Sequence, residues 1–84
     1  MPITAQVSLY PLRQPHLTPA IERTLEVLRS HGLAVDPGTM STLVSGEDDA
    51  VFAALKEAFQ EVAQQGGVVM VVTLSNACPF PEPQ

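Results

Sequence analysis

From Ile3 to Tyr10 apolar and polar residues alternate without a break. Ile3, Ala5, Val7 and Leu9 fall on one face of an extended chain, and Thr4, Gln6, Ser8 and Tyr10 on the other. A strand buried on one side produces that pattern, and Pro11 closes it. The period then changes. Leu17, Ile21, Leu25 and Leu28 recur at helical spacing, with Glu22, Arg23, Glu26 and Arg29 opposite them. Thr18 reads as the N-cap, Pro19 as the first helical residue and Gly32 as the stop, which predicts a helix over Pro19–His31.

Leu33-Ala34-Val35, the turn signal Asp36-Pro37-Gly38 and the run from Met40 to Gly46 predict a short hairpin. The carboxylates of Glu47, Asp48 and Asp49 complement the positive end of a second helix. Its apolar stripe is Val51, Phe52, Leu55, Ala58, Phe59 and Val62, and Gly66-Gly67 ends it. The last strand starts at Val68 and breaks the rule set by the first. It is apolar on both faces through Val72 and turns polar only at Thr73, Ser75 and Asn76, before Pro79 stops it. A sheet covered on one side gives alternation, so this strand calls for a second cover.

Strand, helix, strand, strand, helix, strand is the split βαβ order. It predicts an α+β, ferredoxin-like βαββαβ fold: a four-stranded antiparallel sheet with two helices on one face. Residues 1–79 form this domain, and the proline-rich tail 80–84 is expected to be extended. The uncovered face predicts a homo-oligomer, a dimer or a tetramer.

Composition narrows the partners. A hydrophobic fraction of 45% is too high for a disordered chain of 84 residues. Four Lys+Arg against nine Asp+Glu give a net charge of −5, and so few cations argue against nucleic acid, whose binding rests on neutralising phosphates. No apolar run approaches the roughly 20 residues that cross a bilayer, and no secretory leader is evident at the N-terminus. One cysteine, Cys78, forms no internal disulfide, and with no neighbouring base it reads as an inert thiol. A cytoplasmic protein is expected. Met40 and Met70 read as core fillers.

Four segments together resemble a known family. They are Ser8-Leu9-Tyr10-Pro11 at the end of the first strand, Met40 to Gly46 before the acidic helix start, Val51-Phe52 with Leu55 and Ala58, and Val69-Met70 leading to Ser75-Asn76-Ala77-Cys78-Pro79. In order and spacing they are similar to the YkoF-like family over about Gln6 to Pro79. The resemblance implies a ferredoxin-like fold and non-catalytic binding of thiamin or its hydroxymethylpyrimidine part, in precursor salvage or transport. Some members carry two repeats in tandem; this chain carries one, so self-association is implied to supply the second.

A pyrimidine slot needs an apolar wall and a few fixed donors and acceptors. Polar residues on the strands are the candidates: Gln6, Ser8 and Tyr10, Thr42, and Ser75 with Asn76. Ser8 and Tyr10 fall in the first segment of the resemblance, Ser75 in the last. Glu47 is a weaker candidate for offsetting a thiazolium, because a helix-start carboxylate usually serves the dipole.

No cofactor or metal is called for. His16 and His31 are not at ligand spacing. An enzyme of the acylphosphatase kind would need an arginine in a phosphate-cradling loop. Arg13 lies near that place without a glycine-rich cradle, and no nucleophile–base pair is recognisable. The competing non-enzymatic reading is an ACT-like regulatory module that senses another small metabolite.

Overall fold

The computed structural model describes residues 1–13 and 16–77. Cys78, Pro79 and the 80–84 tail lie outside the described residues. The elements are β1 (Pro2–Pro11), α1 (Thr18–Ser30), β2 (Ala34–Pro37), β3 (Thr42–Glu47), α2 (Asp48–Ala63) and β4 (Val68–Ser75). The sheet order is β2-β3-β1-β4 and every pairing is antiparallel, so the expected ferredoxin-like α+β arrangement is present.

Register assigns each side chain to a face, because directly paired residues point the same way. Ile3, Ala5 and Val7 lie opposite Gly46, Val44 and Thr42 on β3, and Ala5 and Val7 lie opposite Leu74 and Val72 on β4. This is the helix-facing side. Its core joins Ile3, Ala5, Val7 and Val44 to Leu28 of α1, Leu33, and Val51, Ala54 and Leu55 of α2. Burying each of the larger aliphatic side chains is worth about 2 kcal/mol. A Cβ at Gly46 would collide with the Leu33 side chain, so the missing side chain is what lets Leu33 pack over β3.

Several sequence expectations need correction. Thr18 is not the cap of α1. Leu17 holds that position, with no side-chain cap, and its carbonyl accepts from the Ile21 N–H at 3.1 Å. The buried face of α1 is Ala20, Thr24, Val27 and Leu28, while Leu17 and Ile21 are exposed. On α2, Phe52 and Phe59 stand outside the core, 53% and 41% exposed, and Ala54 takes an inner position instead. Met40 is no core filler: it is 87% exposed in the β2–β3 connection, whereas Met70 does pack against the core. The hairpin also shifts. β2 runs on through Pro37, and the turn is closed by the Gly38 N–H donating to the Ser41 carbonyl at 2.8 Å. The α1 stop is as expected: Gly32 has φ +76° and donates to the Arg29 carbonyl.

The double apolarity of β4 has a direct explanation. Met70 and Val72 face the helices and pack on the core. Val69 and Val71 face the other way, opposite Tyr10 and Ser8, and both are exposed.

Candidate functional site

The six candidate residues divide among three places. Gln6, Ser8 and Tyr10 occupy the open face of β1, as their alternation requires. Ser75 is on that face too, but it pairs with Thr4, six positions from Tyr10 along the strand, or roughly 20 Å at the usual rise. Thr42 pairs with Val7 and Pro37 and therefore lies on the helix-facing side. Asn76 follows the end of β4 and points its amide at the Met1 sulfur, 3.7 Å away. Ser75 accepts from the Ala77 N–H at 3.0 Å, so this hydroxyl serves the local turn.

Two of the six, Ser8 and Thr42, meet at one feature. A cleft of about 210 Å³ opens between α1 and the β2–β3 connection, lined by Val7, Ser8 and Leu9 of β1, by Ile21, Thr24 and Leu25 of α1, and by residues 38–42. Ser8 lines the cleft, and Gln6 reaches it only through a hydrogen bond to the lining residue Ser41. The Gln6 amide donates to Ser41 Oγ at 3.2 Å, and Ser8 Oγ donates to the Met40 carbonyl at 3.4 Å. Thr42 lines the cleft, and among the described residues its hydroxyl has no hydrogen-bond partner. Thr24 Oγ1 donates to the Ala20 carbonyl at 2.9 Å, which leaves its lone pairs as acceptors.

The arrangement is four apolar side chains, Val7, Leu9, Ile21 and Leu25, with hydroxyls of Thr24, Ser41 and Thr42 beside them. Such a slot can hold a flat, weakly polar ring and read its edge. The sequence pattern assigned Ile21 and Leu25 to the core and did not single out Ser41. The available signal was the position of Ser41 immediately before Thr42.

Charges stand away from this cleft. The Met1 α-amino group donates to Glu47 at 2.9 Å and to Asp48 at 3.2 Å. Bonding to Glu47, then to Asp48, raises the amine above its ordinary value, and the same amine holds Asp48 below its own. Glu47 is thus engaged at the start of α2. His31 pairs with Glu57 at 3.1 Å, and no group of three metal-ligating side chains occurs among the described residues. No helix there is long and apolar enough to cross a membrane.

Comparison with known proteins agrees with the fold. Residues 3–80 match the model of the YKOF-related Family. No curated protein matches the chain. Among solved structures, a hypothetical protein of Methanocaldococcus jannascii is 25% identical, with a TM-score of 0.84 over 94% of this chain and 84% of that one. A Streptococcus pneumoniae protein is 22% identical, with a TM-score of 0.81 over 89% and 86%. A Thermotoga maritima protein, given a provisional role in thiamine biosynthesis or salvage, is 22% identical, with a TM-score of 0.78 over 88% and 82%.

Proposed function

The chain belongs to the YKOF-related family, and from that membership we propose that it binds thiamin, or the hydroxymethylpyrimidine part of thiamin, and releases it unchanged. The observation that carries this reading is the cleft between α1 and the β2–β3 connection. Its volume of about 210 Å³ suits a single substituted ring, so the pyrimidine is the part of the ligand it would seat. Val7, Leu9, Ile21 and Leu25 supply the faces for such a ring, and Thr42, Ser41 and Thr24 supply groups for the ring nitrogens and the exocyclic amine. The role given to the Thermotoga maritima protein supports the same ligand class. Salvage or transport of a thiamin precursor is the corresponding cellular task.

The exposed apolar side chains of the open sheet face, Tyr10, Leu43, Val69 and Val71, support a second part of the reading. A second copy covers that face, in a dimer or a tetramer.

Titration calorimetry with hydroxymethylpyrimidine and with thiamin tests the binding. Saturable heat with either, and recovery of the ligand with unchanged mass after incubation, is the expected result. Folded protein that gives no heat with both compounds overturns it.

A further inference from the structure

A second and larger cavity, about 550 Å³, lies on the other side of α1, between the end of the β1–α1 connection and the last turn of α2. We propose that it binds the anionic group, phosphate or carboxylate, of a small metabolite, with Arg13 as the principal anchor. This proposal does not depend on the pyrimidine reading.

Charge distribution carries the argument. The chain has four Lys and Arg against nine acids, yet two of the four, Arg13 and Arg23, line this one cavity beside a single acid, Glu61. Glu61 is already committed. It accepts from Arg23 Nη2 at 3.1 Å and from Nε at 3.4 Å, a two-pronged pair that neutralises itself and holds Arg23 further above its ordinary value. Arg13 has no carboxylate partner among the described residues. The cavity therefore holds one uncompensated cation in a molecule whose net charge is −5. His16, Gln64 and Gln65 add donors around it. Ala20, in the first turn of α1, lines the same wall, and that turn carries neither an acidic residue nor a side-chain cap. Its dipole adds to the attraction for an anion.

Inorganic phosphate and, in a separate arm, acetate are titrated at ionic strength matched with chloride, while backbone amides are followed by NMR. Saturable shifts centred on Arg13, Ala20, Gln64 and Gln65 are expected. Phosphate alone acting identifies a phosphate anchor, and both acting equally identifies a carboxylate-type anchor. Arg13→Gln weakens the binding about tenfold, the value of one charged hydrogen-bonded anchor. Arg13 has φ +57°, so Arg13→Gly removes the side chain while keeping that backbone comfortable, and it should lose binding equally. Shifts that follow chloride, or folded Arg13 variants that bind phosphate as the parent does, overturn the proposal.

Discussion

Ser8 and Val71 lie directly opposite each other on β1 and β4, on the face of the sheet away from both helices. A polar residue there is ordinary. A valine 51% exposed, with Val69 and Tyr10 beside it, forms an apolar strip at the β4 edge. Val71→Asp separates two cases. In an isolated chain it exchanges one exposed side chain for another and changes stability by less than about 0.5 kcal/mol. In a sheet-packed oligomer it buries a charge and breaks the assembly. Light scattering should show the parent as a dimer or tetramer and Val71→Asp as a folded monomer. A folded monomeric parent would remove the second copy from the account.

Thr42 provides the sharpest test of the cleft. Thr42→Val keeps the shape and removes a hydroxyl that has no protein hydrogen-bond partner among the described residues. Stability should hardly change, while affinity for hydroxymethylpyrimidine should fall by about 1 kcal/mol, or roughly fivefold. Ser75→Ala, at the end of β4 and outside the cleft, should leave that affinity as it was. Equal losses at both positions would place the ligand elsewhere.

Gly46→Ala should destabilise the domain by about 1–3 kcal/mol, because the new methyl meets Leu33 in a filled core. A smaller residue at position 33 should compensate. In urea melts, the double variant Gly46→Ala with Leu33→Val is expected to lose less than the two single variants summed.

The contacts of Met1 predict a pH window. The amine is raised above 8.0, so its contribution is complete below that value and is lost as the pH rises through the higher folded-state value. Asp48 is lowered below 3.8, so its contribution is present above that value and is lost as the pH falls through the lower one. The pair therefore supports the start of α2 between about pH 4 and 8. Urea midpoints of a synthetic chain with a free amine should drop on going to pH 10 more than those of its N-acetylated counterpart.

Much of the fold was legible because β1 alternates so strictly and the two helices have clear ends. Besides the α1 cap, Met40 and the shifted hairpin, the errors lie on the flanks of helices. At 3.6 residues per turn, Phe52 and Phe59 fall about a quarter turn from the line through Val51, Leu55, Ala58 and Val62. The small Ala54 fits the inner side where the chain approaches closely, at 0% exposure. Hydrophobicity ranks phenylalanine above alanine; close packing reverses the order. In the same way Ile21 and Leu25 sit to one side of the buried line of α1 and become walls of the cleft. The site was harder to read than the fold. Alternation places Ser8 and Thr42 on opposite faces of the sheet, and only the path of the β2–β3 connection around its end brings both to one opening.

The central position of β1 also governs when the molecule can form. β1 is made first, yet one of its two neighbours is β4, with Thr4 paired to Ser75 nearly a whole chain length away. A nascent chain must hold β1 half-partnered until β4 leaves the ribosome. The sheet therefore cannot be completed before β4 has been made, and the slow closing of that long loop is set by topology rather than by any single contact.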